Sequence, residues 1–228
     1  MTAKSIPIST DRHPAAGPAG RWAFGLGLLG LFSAMIAAGA GCGKALPTHY
    51  YDIRYPAASP LFSTPKVKAT LAVAPFTAPF SYRQNRLLYR EGPQEAKVGF
   101  YEDRRWISAP TELLTLAAVQ HLRQSGIFDK VVPQQGDTPA DFILRGKITA
   151  LDELDKPDGY YAQVGLELEL YRSADARKLI WTGAVQHQRK TTARDPDVIA
   201  NELALAVGEA LQMLASKILP ALEPATTR

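Results

Sequence analysis

The only cysteine of this 228-residue chain, Cys42, follows the small residues Gly39-Ala40-Gly41 at the end of an uncharged apolar segment. The segment begins at Ala23, and Arg21 supplies the positive charge that precedes the apolar part of an export signal. A thiol in this place can be alkylated by a diacylglyceryl group, and small residues before it fit the narrow cleft of a lipoprotein-type signal peptidase. The pattern therefore predicts cleavage between Gly41 and Cys42, with diacylglyceryl and N-acyl lipid on Cys42.

Two other interpretations of this segment stay open. It is about long enough to cross a bilayer, which takes roughly 17–25 residues, although its glycines each weaken a helix by roughly 1 kcal/mol relative to alanine. An ordinary cleaved signal would leave Cys42 as a free thiol, which is unusual in an exported protein. The segment resembles a bacterial lipobox except at Gly39, where a large aliphatic residue is usual. We favour a lipoprotein signal peptide over residues 1–41.

No other part of the chain shows a pattern typical of catalysis or metal binding. It has neither a Gly-x-Ser-x-Gly elbow nor a glycine-rich phosphate loop. Glu167 and Glu169 share one side of a predicted strand and could form an acid–base pair. Two carboxylates on a solvent-exposed strand face more often serve solubility than catalysis. Metal-ligand spacing is absent from the four histidines, which are His13, His49, His121 and His187. We expect no enzymatic activity, no metal and no cofactor.

Composition limits the remaining function classes. Without residues 1–41 the chain keeps 187 residues, of which 23 are basic and 21 acidic, for a formal net charge of +2. This length suits one domain with a hydrophobic core. A nearly neutral domain gives no electrostatic reason to expect nucleic-acid binding. With a single cysteine, no disulfide can form within the chain, so packing alone must hold the fold.

Apolar periodicity predicts one α+β domain. Alternation of apolar and polar residues indicates antiparallel strands with one buried and one wet face, and spacings of three and four indicate helices. The predicted strands cover 48–54, 70–76, 87–90, 98–101, 130–132, 141–151, 161–171 and 178–189; the predicted helices cover 109–125 and 197–219. The expected architecture is a two-layer sandwich in which two long helices pack on one face of a mainly antiparallel sheet.

Residues that commonly start or stop helices set the predicted helix boundaries. Ser108 is the expected N-cap of the first helix, Gly126 its left-handed stop, and Pro220 the end of the second helix. Residues 42–66 hold the lipidated cysteine, the first strand and a loop. The rest of the domain spans 67–220, and residues 221–228 form an expected disordered tail. The apolar stripe of the second helix fits either a core or a groove lined by small residues.

Aromatic residues and arginines gather in the predicted hairpin. These residue types anchor many protein interfaces, so the hairpin is our expected contact surface. Equally, the aromatics could cap one end of the core while the arginines face water. Base stacking on such a cluster is conceivable, but an export signal argues against it. The predicted contact residues are Tyr89, Arg90, Tyr101, Arg105 and Trp106.

The order of these pieces resembles a known family. After the lipobox come Tyr-Tyr-Asp-Ile at 50–53, Val-Ala-Pro-Phe at 73–76, Asn-Arg-Leu-Leu-Tyr-Arg at 85–90, Phe-Tyr-Glu-Asp-Arg-Arg-Trp at 100–106, Ala-Pro-Thr-Glu-Leu-Leu at 109–114 and Leu-Arg-Gly-Lys-Ile at 144–148. Over about residues 42–220, the chain resembles the ABC-type transport auxiliary lipoproteins, of which PqiC (YmbA) is the best-known type.

The resemblance implies a non-enzymatic lipoprotein that faces the periplasm. Such proteins work with an MCE-domain protein, and in some systems with an ABC permease, in moving lipids between membranes or in a related solvent-tolerance system. Gly43, in place of an aspartate after the cysteine, favours the inner leaflet of the outer membrane over the inner membrane. Two alternatives are a direct lipid-binding carrier, with a closed cavity under helix 197–219, and an outer-membrane assembly lipoprotein. Whether the chain forms a homo-oligomer is left open.

Overall fold

The structure, a computed structural model, describes residues 47–56, 60–91, 94, 96–173 and 178–226. The predicted signal peptide, with Gly41 and Cys42, lies outside these residues. The part described begins at Pro47 and belongs to one compact unit. In chain order its elements are β1 (His49–Tyr51), β2 (Val67–Val73), α1 (Phe80–Arg83), β3 (Arg86–Glu91), β4 (Lys97–Trp106), α2 (Pro110–Ser125), β5 (Phe128–Pro133), β6 (Phe142–Lys156), β7 (Gly159–Arg172), β8 (Lys178–Lys190) and α3 (Pro196–Thr226).

The three longest strands, β6, β7 and β8, form an antiparallel meander. Their alternation matches the prediction: Val164, Leu166 and Leu168 on β7 are at most 1% exposed, whereas Glu167 and Glu169 between them are exposed. One face of the meander is therefore apolar and the other wet, as an antiparallel sheet with a single covered face requires.

The second edge of β6 is shared by two groups of strands. Its beginning pairs in parallel with β2, and β5 continues the sheet beyond β2. Its end pairs in parallel with β3, followed by β4 and β1. A single bridge between Thr77 and Lys147 fills the interval. The predicted α+β sandwich is confirmed, and its long antiparallel strands carry short parallel additions at this edge.

Both long helices pack on the apolar face. The stripe of α3 is fully buried at Ile199, Val207 and Leu214, and the small residues Ala206 and Ala210 are buried with it. Of the two interpretations of this stripe, the structure supports the core. By length and composition alone α3 could cross a membrane, but 61% of its most apolar window is buried inside the fold. It is therefore the central core helix of the domain.

The start of α2 differs from the prediction. Its N-cap is Ala109, with no side-chain cap, and Pro110 occupies the first turn. Ser108 instead donates from its hydroxyl to the Glu112 carboxylate. Proline needs no hydrogen-bond acceptor at a helix start, which removes part of the need for a capping side chain. The predicted stop is confirmed, since Gly126 adopts φ +70° and ψ +17°.

Two further boundaries differ. Helix α3 does not end at Pro220 but continues to Thr226, so most of the predicted disordered tail, residues 221–228, is helical. Proline removes one helical hydrogen bond, and the complete burial of Leu222 beyond it favours continuation of the helix. The strand predicted over 98–101 is longer in the structure, where β4 continues to Trp106 and β1 pairs in parallel with its end.

Candidate interaction surface

The β3–β4 hairpin distributes the predicted contact residues over both sides of the sheet. Neighbouring residues in a strand point to opposite sides, and the register places Tyr89 beside Glu153. Tyr89 and Tyr101 both lie on the Glu153 side, whereas Arg90 reaches Asp152 on the other. These predicted residues therefore do not form one continuous surface.

On the Glu153 side, two tyrosines and an arginine enclose the buried carboxylate. Tyr101 Oη donates to Glu153 Oε2 at 2.5 Å, and Arg194 Nε lies 3.5 Å from Glu153 Oε1. The rings of Tyr89 and Tyr101 meet edge to face with centroids 5.2 Å apart. The Arg194 guanidinium lies 5.7 Å from the centroid of the Tyr89 ring. Gly99 permits this packing, because a Cβ there would collide with Tyr89.

The electrostatics of this group indicate a structural role. Burial raises the pKa of Glu153, while the Tyr101 hydroxyl and the Arg194 charge oppose that rise. Arg194 also lies 3.4 Å from Glu91 and 3.2 Å from Asp155. One guanidinium therefore compensates three carboxylates and ties the hairpin to the segment that precedes α3.

The Asp152 side holds a second group, in which one tyrosine and one arginine enclose the buried carboxylate. Asp152 is fully buried and accepts hydrogen bonds from Arg90 Nε at 2.7 Å and Tyr82 Oη at 2.5 Å. Arg90 Nη2 also donates to Tyr82 Oη at 2.9 Å. Burial and the nearby Asp152 charge raise the pKa of Tyr82, which keeps its hydroxyl a neutral donor. Arg90 is thus engaged within the fold.

Trp106 and Arg105 have different environments although they are adjacent. Trp106 is 1% exposed and belongs to the main core, so for this residue the structure supports the core-capping interpretation rather than a contact surface. Arg105 stays partly exposed, with Nη1 3.5 Å from Asn85 Oδ1. Whether Tyr89, Arg90, Tyr101 and Arg105 touch a partner stays a prediction.

A different set of side chains, two of them exposed and three half-buried, lies on the Asp152 side of the hairpin. The Arg86 guanidinium lies 5.1 Å from the centroid of the Phe100 ring. Arg105 pairs in register with both Arg86 and Tyr50, so the three share one side of the sheet. Tyr50 is 61% exposed and Val98 44%. We call Tyr50, Arg86, Val98, Phe100 and Arg105 the hairpin patch.

Sequence reasoning missed four of these five residues. Strand alternation could have identified Arg86, Val98 and Phe100, because these residues alternate along the hairpin with the residues that surround Glu153. Tyr50 could not be placed from the sequence, because nothing in the chain indicates that β1 joins β4 in parallel.

The wet face of the meander carries paired charges. Lys147 Nζ donates to Glu167 Oε2 at 2.8 Å, and Tyr171 Oη donates to Glu169 Oε2 at 2.7 Å. Each carboxylate of the pair considered for acid–base chemistry thus has its own partner. Within the described ranges, no three His, Cys, Asp or Glu side chains come close enough to hold a metal ion.

The histidines are dispersed as their sequence spacing suggested. His49 is exposed on β1, and His187 on β8 pairs through Nε2 with Glu209 of α3. His121 is 1% exposed on α2 and lines a pocket between the helices. His13 lies outside the described residues. The three histidines that the structure describes lie on three different elements.

Comparison with solved structures identifies the fold. Protein XCC0632 from Xanthomonas campestris, of the DUF330 family, matches with 18% identity and a TM-score of 0.71, over 79% of this chain and all of that one. A second uncharacterized protein matches with 17% identity and a TM-score of 0.59, over 75% of this chain and 99% of that one. No protein-family model and no curated protein matches the chain.

These likenesses establish a shared fold. The chain has the architecture of the DUF330 protein along that protein's whole length. At identities below 20%, membership of the auxiliary lipoprotein family stays a prediction, as does lipidation of Cys42, which lies outside the described residues.

Proposed function

We propose that the chain is a lipid-anchored accessory subunit of an MCE-type intermembrane lipid transport system, and that it docks its MCE-domain partner through the hairpin patch. The observation that carries this proposal is the patch itself. It combines the exposed Tyr50 and Val98 with the half-buried side chains of Phe100, Arg86 and Arg105. Such mixtures are enriched at interface centres.

The position of the patch relative to the predicted anchor supports the proposal. Tyr50 lies eight residues after Cys42, so the intervening chain can span at most roughly 28 Å. A partner on the patch would therefore be held close to the membrane that carries the lipid. Two or three acyl chains anchor a protein stably, whereas one chain is marginal. On this proposal the chain acts by binding alone and needs no cofactor.

The proposal is tested by recovery of the MCE-domain protein with the affinity-tagged chain. In the hairpin patch, Val98→Asp places a charge where an apolar contact is expected. We expect its recovery of partner to fall about five- to thirtyfold, as for loss of an interface residue worth about 1–2 kcal/mol.

Leu179→Asp is the matched control. Leu179 is 47% exposed, like Val98 at 44%, and lies on β8 away from the hairpin. We expect this variant to recover the partner at the wild-type level. Equal recovery by both variants, with both folded, would contradict docking through the hairpin patch.

A further inference from the structure

The sheet edges on the far side of β6 from β7 are closed against pairing. There β1 has only three residues, and the part of β4 over 97–104 carries four charged residues. On β5, the Val131 carbonyl accepts hydrogen bonds from Arg123 Nε and Nη2 of α2 at 3.2 and 2.8 Å, and the strand finishes at Pro133. Short strands, charged side chains and proline are the features that keep sheet edges from pairing.

At the opposite end of the sheet, β8 lacks these features. It has 13 residues and, among the described residues, pairs only with β7. From Trp181 to Gln188 it contains no lysine, arginine, aspartate, glutamate or proline. Its register with β7 shifts only before Trp181, so no bulge interrupts this stretch. We infer that β8 is the open edge of the described sheet.

The ladder between β7 and β8 shows which backbone groups face the open edge. Thr191 N donates to the Tyr160 carbonyl at 2.8 Å, in line with the register of the two strands. Bonding alternates along an antiparallel pair, so the odd-numbered residues of β8 bond to β7 and the even-numbered ones face outward. The Ala184 carbonyl agrees with this assignment, because it accepts from Lys217 Nζ of α3 at 3.1 Å. The outward-facing residues of the uncharged stretch are Thr182, Ala184, Gln186 and Gln188.

Side chains on the helix side of β8 supply apolar contacts next to this edge. Trp181 is half-buried, and its ring lies along the strand, where a Cβ on Gly183 would come within 2.6 Å of it. Met213 of α3 is 38% exposed and lies one helical turn from both Glu209 and Lys217, which contact β8. A strand added at the edge would therefore find an aromatic and a thioether side chain on its helix side.

The exposed charge along the open edge is mainly positive. Three exposed lysines lie there: Lys178, Lys190 and Lys217. The carboxylates of Glu202 and Glu209 are already paired with Arg189, and the exposed Asp158 lies 3.9 Å from Lys190 Nζ. An acidic strand complements this charge, whereas a second copy of the chain would bring the same lysines to the edge.

We propose that β8 accepts an extended acidic segment of a partner protein as an additional strand of the sheet. The outward N–H and C=O groups bond to the segment, its apolar residues pack beside Trp181, and its carboxylates lie near the lysines. In this mode of recognition the main-chain bonds give affinity and the alternate side chains give specificity. Lys217 is exposed, so its side chain can leave the Ala184 carbonyl as the segment arrives. The site lies at the opposite end of the sheet from the hairpin patch and does not depend on the proposed docking function.

The first test uses a blocked peptide of four glutamate–valine repeats as the probe. Amide hydrogen exchange of the full chain, followed residue by residue by NMR, reports on the edge. With saturating peptide, we expect the amides of Thr182, Ala184, Gln186 and Gln188 to exchange at least about tenfold more slowly, because each N–H gains a backbone acceptor. A peptide of four lysine–valine repeats should bind at least about tenfold more weakly, a difference of 1.4 kcal/mol.

Three outcomes of this test would overturn the proposal. Unchanged exchange at the four outward amides would show that no strand is added, and equal binding of the lysine peptide would show that charge does not select the segment. Slow exchange at these amides in the chain alone, with a sedimentation mass of two chains, would show that a second copy occupies the edge.

Two variants separate the backbone ladder from the charge. Ala184→Pro removes one outward N–H, which an edge strand tolerates, and should lower the affinity for the glutamate peptide, measured by calorimetry, at least about tenfold. Its control, Ala184→Val, keeps the N–H and should bind like the wild type. Lys190→Glu leaves the backbone unchanged and should weaken the glutamate peptide while strengthening the lysine peptide. Wild-type affinity in Ala184→Pro, or wild-type affinity for both peptides in Lys190→Glu, would refute strand addition at β8.

Discussion

Two adjacent carboxylates on β6 show how alternation along a strand distributes charge. Asp152 and Glu153 are both fully buried and point to opposite sides of the sheet. Each accepts a hydrogen bond from a tyrosine hydroxyl and lies beside an arginine, so each burial is compensated locally. Removing one partner of such a group would leave a buried charge, which costs more than the pair contributes.

Glu153 makes stability depend on pH. Because burial raises its pKa in the folded state, the folded chain holds this proton more tightly than the unfolded chain does. The stability from this group is complete below the unfolded pKa and is lost as pH rises through the folded pKa, by about 1.4 kcal/mol per unit of pKa difference.

Glu153→Gln removes that titration while keeping the shape. We expect its free energy of unfolding to decline less with rising pH than that of the wild type, in urea denaturation at pH 4 to 7. Glu167→Gln makes the same change in net charge on the wet face and serves as the control. Parallel pH profiles for wild type and Glu153→Gln would contradict this role.

Trp106 distinguishes core from contact surface. Because it is 1% exposed, we expect Trp106→Ala to lower the free energy of unfolding by about 3–5 kcal/mol. The neighbouring Ile107 is 62% exposed, and Ile107→Ala should stay within about 0.5 kcal/mol of wild type. Urea denaturation measures both, and a loss below 1 kcal/mol in Trp106→Ala would show that this residue is not part of the core.

At the scale of elements, β6 organises the domain. Its whole length pairs with β7, while its other edge receives β2 at one end and β3 at the other. A register shift between Ile148 and Ala150 divides the strand. This irregularity changes which residues face the core and brings Glu153 toward the segment that precedes α3.

The junction between α2 and β5 depends on Gly126. Its φ of +70° is unfavourable for other residues, and a Cβ would collide with the carbonyl oxygen of Phe62. Lys66 N donates to the Gly126 carbonyl at 3.1 Å, so the facing backbone has little freedom to move. We expect Gly126→Ala to lower the free energy of unfolding by more than the roughly 1–2 kcal/mol of a left-handed alanine alone.

Gly136→Ala measures the free-energy cost of a left-handed alanine without a steric clash. Gly136 also has positive φ, +54°, but no atom lies within 4 Å of the Cβ it would gain. The difference between the two variants in urea or thermal denaturation then gives the steric cost at Gly126. Equal losses of unfolding free energy in the two variants would show that the Phe62 backbone moves away from the new Cβ without cost.

For the whole molecule, the decisive covalent event is the predicted lipidation. We expect the wild type to incorporate labelled palmitate and to be processed in a globomycin-sensitive way, and Cys42→Ala to lose both properties. A transmembrane anchor would leave the wild type unprocessed, and an ordinary export signal would allow processing of Cys42→Ala. Palmitate labelling and the electrophoretic size of the product therefore distinguish the three interpretations of residues 1–41.

The fold could be predicted further than the candidate site. The strands from 142 to 190 and both helices follow from apolar spacing, because each period matches one backbone geometry. The short helix α1 was missed because a single turn leaves no periodic pattern. The parallel pairing of β1 with β4 was missed because two strands distant in sequence share no local signal.

The sequence by itself determined the class of the fold, the helix stop at Gly126, and the prediction of an export and lipidation signal at Cys42. These features depend on neighbouring residues, whose chemistry acts over a few positions. Only the tertiary structure decided that Trp106 and His121 are buried while Tyr50 and Val98 are exposed. Aromatic and titratable side chains suit both core and surface, so their environment is set by the elements that pack around them.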